Sequence, residues 1–268
     1  MKFFRDKTNR LYIVMSAFFI ANAMVAEFMG VKIFSLDETL GIHKPVFDLF
    51  GFHFDGISQT CGVLLWPFVF VMTDIINEYF GVKGVRFISW IAALMIAYAY
   101  LMLFGAMHTS PAGWWLSSSN YGNELDFNKA YLAVFGQGTN IIVGSLIAFM
   151  VGQLIDVYVF HWVKKKTGEK MIWLRSTGST LVSQLIDSFI VLFVAFYLLK
   201  QGQKGQWTLN MVFAVGIVNY IYKCVAALLL TPVIYLVHQI IEKYLGHELA
   251  SSLKKQAIAS PNLPEGEA

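Results

Sequence analysis

The sequence predicts an all-α, polytopic membrane protein with six transmembrane helices. Of its 268 residues, 57% are hydrophobic and 14% are charged, so a water-soluble domain of this size would lack the charged side chains that cover a surface. A helix needs about 20 apolar residues to cross the roughly 30 Å hydrocarbon core, and six apolar segments are long enough. Basic residues also cluster in alternate loops, which is typical of membrane proteins.

The apolar segments set the predicted domain organisation. They run over residues 11–34, 57–79, 85–107, 131–163, 174–199 and 209–245. The fourth and sixth exceed the membrane thickness, so we expect them to tilt, kink or extend beyond it, with the bend of the sixth at Thr231 and Pro232. Residues 1–247 are therefore predicted to form one transmembrane domain, and the polar segment 248–268 is expected to be a disordered cytoplasmic tail.

The basic residues predict the orientation. They precede the first segment, separate the second from the third, and separate the fourth from the fifth: Lys2, Arg5, Lys7, Arg10, Lys83, Arg86, Lys164, Lys165, Lys166, Lys170 and Arg175. Because such clusters resist translocation, we expect these loops and both termini to be cytoplasmic. In the first outer loop, aromatic and polar residues alternate around Gly51, a pattern that predicts a short hairpin at the membrane surface.

Ionisable residues inside apolar segments are candidate functional groups, because they are costly there and face a protein interior or a wet cavity. Asp74, Asn77 and Glu78 share one side of the second segment near its cytoplasmic end. The alternative is an interfacial helix end whose carboxylates pair with Lys83 and Arg86.

Aromatic and amide side chains of the same segment lie close to the angular position of Asn77. These are Gln59, Trp66 and Phe70. Such a surface would suit a flat, hydrogen-bonding ring, although Trp66 could equally be ordinary core. Asp156, in the fourth segment, is either a functional carboxylate or a structural partner of Arg175.

The fifth segment carries a polar stripe. Its members are Ser176, Thr180, Ser183 and Asp187, flanked by Ser179 and Gln184. At about 1.5 Å per residue, Asp187 lies roughly 18 Å from Arg175, which is mid-membrane. A bare carboxylate at that depth would cost several kcal/mol, so Asp187 needs a partner, a proton or a ligand.

Lys223, in the sixth segment, also comes near the midplane, four residues after Asn219. Asp187 and Lys223 are therefore predicted to form an ion pair. This pair either lines a cavity or only fixes helix packing, since polar residues also join membrane helices.

Other patterns restrict the function. A stripe of small residues in the fourth segment predicts a helix contact: Asn140, Gly144, Ala148 and Gly152. Small-residue seams of this kind leave a homodimer open. No Walker A or H-E-x-x-H pattern occurs, and the two cysteines lie in apolar stretches, so we expect neither a cofactor nor a metal. An intramembrane enzyme using paired carboxylates is an alternative that needs two aspartates close together.

Four segments together resemble the queuosine precursor transporter family, also called the vitamin-uptake-like family. They are VMTDIINEYFG, VGQLIDVYVFHWVKKK, RSTGSTLVSQLIDSFIVLFVAF and VNYIYKCVAALLLTPVIY, in this order. The resemblance covers nearly the whole membrane region. The positions that match its motifs are Asp74, Asn77, Glu78, Gln153, Asp156, Ser179, Ser183, Asp187, Asn219 and Lys223.

The resemblance implies a non-enzymatic importer in the bacterial inner membrane whose partners are the bilayer and a deazapurine, with no nucleic acid. The implied substrates are 7-cyano-7-deazaguanine, 7-aminomethyl-7-deazaguanine or queuine. A carboxylate such as Asp74, Glu78 or Asp187 could accept hydrogen bonds from a guanine-like edge while the ring stacks on Trp66. The alternative is a substrate-binding subunit of an energy-coupling-factor importer, which would need a separate ATPase.

Overall fold

The computed structural model describes residues 6–116, 125–136, 139–167 and 171–259. Five helical spans are long and apolar enough to cross a membrane: Lys7–Met29, Trp66–Met107, Phe127–Thr167, Trp173–Leu198 and Leu209–Leu245. The third of them runs over residues 137–138, which lie outside the described ranges. The chain is therefore an all-α polytopic membrane protein, as the sequence predicts.

The elements follow each other in a simple order. The helices are α1 (Lys7–Met29), α2 (Leu36–Leu40), α3 (Trp66–Met107), α4 (Phe127–Gly136), α5 (Thr139–Thr167), α6 (Ile172–Leu192), α7 (Leu209–Leu245) and α8 (His247–Ala259). The strands are β1 (Ile33–Ser35), β2 (Val46–Leu49), β3 (Phe52–Asp55) and β4 (Ser58–Thr60). The α6 helix continues as a π-helical turn over Phe193–Leu198. Side-chain caps begin the first and last long helices, because Asp6 accepts from the amide of Thr8 and Thr208 from that of Met211.

The 42-residue α3 helix reverses direction at Gly81, whose φ of 69° lies in the left-handed region that glycine adopts without strain. Near this turn, the ring of Tyr12 lies 4.8 Å from the ring of Phe80, and its hydroxyl donates to the carbonyl of Gly84 at 2.9 Å. About 24 Å further along α1, the ring of Phe28 stacks on Tyr100 at 5.7 Å. The second half of α3 thus runs parallel to α1.

The first half of α3 runs antiparallel to α1. Gly62, just before α3, lies against the carboxyl end of α1, whereas the turn at Gly81 lies near the amino end of α1. A Cβ at Gly62 would lie 2.6 Å from the carbonyl oxygen of Ala26, so only glycine allows this approach. The two predicted segments 57–79 and 85–107 are therefore the two arms of one folded-back helix.

The amino-terminal end of α1, the turn at Gly81 and the α8 helix all lie at one end of the bundle. The Nζ of Lys7 donates to the carbonyl of Tyr244 at 3.0 Å. In α8, Ala257 packs against Gly81. A Cβ added at Gly81 would lie 3.2 Å from the carbonyl oxygen of Ala257. The expectation of disorder from residue 248 is consequently wrong for residues 248–259, which are helical, while residues 260–268 lie outside the described ranges.

The second apolar segment begins with strand rather than helix. Residues 58–60 form β4, which pairs antiparallel with β1, and the helix starts at Trp66 with Pro67 in its first turn. The prediction that Gln59 shares a helical face with Asn77 is therefore wrong, because Gln59 pairs with Phe34 across two strands. The predicted hairpin is confirmed: β2 and β3 pair antiparallel through a two-residue turn at Phe50 and Gly51, both with positive φ.

Polar and apolar surfaces are distributed as in a membrane protein. Large apolar side chains such as Leu94, Leu101 and Leu229 are exposed along the helices, whereas carboxylates, amides and hydroxyls are buried between them. The predicted small-residue seam is a helix contact: Gly144 packs against Ala195 of the π-helical turn, and Gly152 packs against Asp187. The side chain of Asn140 lies outside the described part of the chain.

Candidate functional site

The polar stripe of α6 faces α3 and α5. Its hydroxyl side chains are buried: Ser176, Thr177, Ser179, Thr180 and Ser183. Residues spaced three and four apart lie on one side of a helix, so the sequence itself places these hydroxyls in a row. Small side chains also let the neighbouring helices approach closely. The stripe therefore brings hydrogen-bond donors into the interior of the bundle.

Two buried aspartates accept hydrogen bonds from this stripe. Asp74 of α3 is bonded by the hydroxyl of Ser176, and Asp156 of α5 by that of Ser183 at 3.2 Å. The hydroxyl of Thr180 lies between them and interacts with both carboxylates. The partners of Asp156 are hydroxyls, so the alternative in which it pairs with Arg175 is wrong.

One oxygen of each carboxylate is left without a partner among the described residues, namely Oδ1 of Asp74 and Oδ2 of Asp156. Both aspartates are almost fully buried, and burying an unpaired polar atom costs about 1–3 kcal/mol. Unpaired buried acceptors of this kind need a further partner, such as a water molecule, an ion or a ligand.

Asp187 of α6 and Lys223 of α7 form the predicted ion pair. Their side chains keep 17% and 12% of their surface exposed, in contrast to the sealed aspartates, so the pair is not enclosed in dry packing. Asn219 lies one turn before Lys223 on α7 and is half-buried. The pair therefore joins α6 to α7 without being fully enclosed.

Glu78 is the centre of a buried charge cluster with Arg175 and Lys164. The Nη2 of Arg175 donates to Oε1 of Glu78 at 2.7 Å, and the Nζ of Lys164 lies 3.1 Å from Oε2. That Nζ also donates to the carbonyl of Glu78 at 2.7 Å. The alternative in which Glu78 pairs with Lys83 or Arg86 is thus wrong, because cations of α5 and α6 are its partners.

Amide side chains join α3 to α5 beside this cluster. The hydroxyl of Thr73 donates to Oε1 of Gln153 at 3.1 Å, and Nδ2 of Asn77 lies 3.5 Å from the carbonyl of Val157. Both amides are buried, and each keeps one polar atom without a partner among the described residues.

A cavity lies between α3, α6 and α7, next to Asp74. The aromatic rings of Trp66 and Phe70 form part of one wall, and Asp74, Thr180, Gln184 and Lys223 contribute polar groups. Its volume is about 20 Å³, which is room for about one water molecule. A larger ligand would therefore need the helices to separate.

The cavity contains only part of the predicted site. Three of the predicted residues line it: Asp74, Trp66 and Lys223. The remaining predicted residues do not line the cavity: Asn77, Glu78, Gln153, Asp156, Ser179, Ser183, Asp187, Asn219 and Gln59. Phe70, Ser176, Thr180 and Gln184 also line the cavity; the sequence pattern places them on the aromatic surface of the second segment or on the polar stripe of the fifth. The prediction missed Thr177 and the apolar lining residues such as Ile234. Thr177 directly follows Ser176 in the polar stretch of α6, which was the available signal.

Glu27 is a further buried carboxylate, on α1. The hydroxyl of Ser145 donates to its Oε2 at 2.9 Å, and Glu27 also interacts electrostatically with Asp187. The polar interior thus extends from the charge cluster of Glu78 to the opposite half of the membrane region.

Comparison with known proteins places this architecture in a family. Residues 60–237 match the family model described as "Putative vitamin uptake transporter". A "Probable queuosine precursor transporter" of Bacillus subtilis is 26% identical over 84% of this chain and 88% of its own length. A protein of the same description from Haemophilus influenzae is 27% identical over 85% of this chain and 86% of its own.

A third relative, the "Queuosine precursor transporter" of Escherichia coli, is 30% identical over 58% of this chain and 61% of its own length. No solved structure matches the chain. All three relatives are described as transporters, which favours neither an intramembrane enzyme nor an ATPase-dependent binding subunit.

Proposed function

The chain belongs to the vitamin uptake transporter family, and from this membership we propose that it imports a deazaguanine precursor of queuosine across the bacterial inner membrane. The substrate class is 7-cyano-7-deazaguanine, 7-aminomethyl-7-deazaguanine or queuine. The observation that supports it is the convergence of Asp74, Gln184 and Lys223 from three helices on one cavity with an aromatic wall.

The chemistry of the cavity suits such a base. Its flat ring can stack on Trp66 or Phe70, which line the cavity at the start of α3. Its ring N–H and amino groups are donors, and the free oxygen of Asp74 is an acceptor. A charged acceptor forms hydrogen bonds about twice as strong as a neutral one. An aminomethyl group would add a cation that a carboxylate such as Asp187 attracts.

Transport requires the site to open. The cavity of about 20 Å³ is far smaller than a fused bicyclic base, so the structure corresponds to a closed state. In carriers, polar groups near the midplane lie where the site opens alternately to either side. We propose that separation of α7 from α3 and α6 admits the base, with the Asp187–Lys223 pair as the contact that breaks and re-forms.

The proposed topology has six crossings. Successive crossings alternate in direction. They are α1, the two antiparallel arms of α3, and the helices α5, α6 and α7. The end that contains Lys7, Gly81 and α8 also contains the lysine-rich end of α5. By the positive-inside rule, this end is proposed to be cytoplasmic, with both termini on that side.

Uptake by purified protein in liposomes tests the proposal. Wild-type protein is expected to take up radiolabelled 7-cyano-7-deazaguanine without ATP or a partner protein. The Asp187→Asn variant should lose this uptake, because a neutral amide no longer compensates Lys223 and cannot attract a cationic substituent. Asp48→Asn, at an exposed hairpin position, makes the same chemical change as a control.

Two results would contradict the proposal. Uptake by Asp187→Asn at the wild-type rate, with equal amounts of protein in the liposomes, would remove Asp187 from the site. Wild-type uptake that depends on added ATP and a second protein would instead indicate a binding subunit.

A further inference from the structure

Gln184 is a buried amide with an unused donor beside the cavity. Its side chain is 3% exposed, and its Nε2 has no hydrogen-bond partner among the described residues. It lies two helical turns from Ser176 and one turn from Thr180, the two hydroxyl residues that interact with Asp74. The cavity therefore presents an unused donor from Gln184 near an unused acceptor from Asp74.

Other donors of the same wall are already engaged. Lys223 is bonded to Asp187, and the hydroxyl of Thr177 pairs with that of Thr231 at 3.0 Å. A bound ligand can thus pair with the Nε2 of Gln184 without displacing a partner of that atom among the described residues. Leaving a buried donor unpaired is costly, so a ligand that offers an acceptor there is favoured over one that does not.

We propose that Gln184 and Asp74 together select a 6-oxo purine edge. This inference rests on the proposed function and adds a specificity residue to it. The carboxylate of Asp74 accepts from the ring N1–H and the 2-amino group, while the amide of Gln184 donates to the 6-oxo oxygen. Asp74 interacts with Ser176 and Thr180, whose midpoint on α6 is about 9 Å along the helix from Gln184. Two side chains and a fused ring can bridge this distance.

The arrangement discriminates by chemistry. A 6-amino base places a donor opposite the Gln184 amide donor and has no N1–H for Asp74. The Gln184 donor would then face another donor, and Asp74 would face an unprotonated N1 and keep at most the hydrogen bond from a 2-amino group. Sites built to hydrogen-bond a ligand reject analogues that lack the matching group far more strongly than apolar pockets reject a missing methylene. The aromatic wall of Trp66 and Phe70 binds either ring alike, so the polar pair determines the choice.

Binding of two matched bases to the full-length purified chain tests this assignment. The bases are 7-cyano-7-deazaguanine and its 2,6-diamino analogue, which differ at position 6 and at the N1 proton. Wild-type protein should bind the 6-oxo base at least about 100-fold more tightly. The Gln184→Glu variant replaces the donor by an acceptor of the same shape, and its preference for the 6-oxo base should fall by about 10- to 100-fold.

Two controls keep the test decisive. Gln184→Leu should weaken binding of the 6-oxo base without any gain for the 6-amino base, and it serves also if the Glu variant does not fold. Gln203→Glu makes the same change at an exposed position of the outer loop and should leave both affinities unchanged.

The outcomes separate this inference from the proposed function. Equal binding of the two bases by wild type, or an unchanged preference in both Gln184 variants, would overturn the role of Gln184 while leaving the transporter assignment intact. A wild-type chain that binds no deazaguanine at all would contradict the proposed function itself.

Discussion

Removal of the Glu78 carboxylate should destabilise the fold, because this group compensates two buried cations. Arg175 and Glu78 are fully buried, and Lys164 is 1% exposed. Breaking a buried ion pair by removing one partner costs about 3–5 kcal/mol. Glu78→Gln removes the carboxylate that both cations contact, so we expect about 4–5 kcal/mol of lost unfolding free energy. Arg175→Gln leaves Lys164 as the partner of Glu78 and should cost less, about 3 kcal/mol.

The measurement is the free energy of unfolding in mixed micelles, titrated with denaturant and followed by tryptophan fluorescence. The double variant should lose less than the sum of the two single variants, by about 1–3 kcal/mol, because the groups are in contact. Glu248→Gln, at an exposed position of α8, should remain within about 0.5 kcal/mol of wild type. If Glu78→Gln retains wild-type stability and loses only substrate binding, Glu78 belongs to the site and not to the scaffold.

Three further predictions concern other contacts. Gly62→Val should lower the melting temperature in detergent, since its side chain would collide with the carbonyl of Ala26 at a cost of about 1–3 kcal/mol; an unchanged melting temperature would contradict the contact. The hydrogen bond from the amide of Ile57 at 2.8 Å lowers the pKa of Asp37. The stabilisation from the ionised Asp37 carboxylate is therefore present above its unfolded pKa, about 3.9, and is lost as pH falls through the lower folded pKa. Over this pH range the Ile57 amide should lose its protection against hydrogen exchange, corrected for the intrinsic rate. A protection factor that stays constant over the same range would refute this. Lys254→Met should release α8 and expose it to protease, because this buried lysine is bonded to α7; equal protease resistance would argue against that role.

The sequence was sufficient for features set by local pattern. The apolar segments, the hairpin at Gly51 and the ion pair of Asp187 and Lys223 all follow from spacing or from the cost of isolated charge in a membrane. The stretch before Trp66 was misassigned because a short apolar run does not distinguish strand from helix. The Pro67 in the first turn of α3 was the available signal for the true start.

Other features depend on tertiary packing. The partners of Glu78 are 86 and 97 residues away along the chain, so no local pattern indicates them. The α8 helix had a local signal, since Ala250, Lys254 and Ala257 recur at helical spacing and are buried. The role of Gln184 could not be separated from that of its neighbours until the cavity showed which face of α6 it occupies.

Titration calorimetry of the purified chain tests the central claim that a polar cavity inside the bundle binds a deazaguanine. We expect at least one of the cyano base, the aminomethyl base and queuine to bind at one molecule per chain, more tightly than guanine. We also expect Asp74→Asn to weaken this binding by about 10-fold or more. Binding of guanine alone, or affinities that Asp74→Asn leaves unchanged, would contradict the claim.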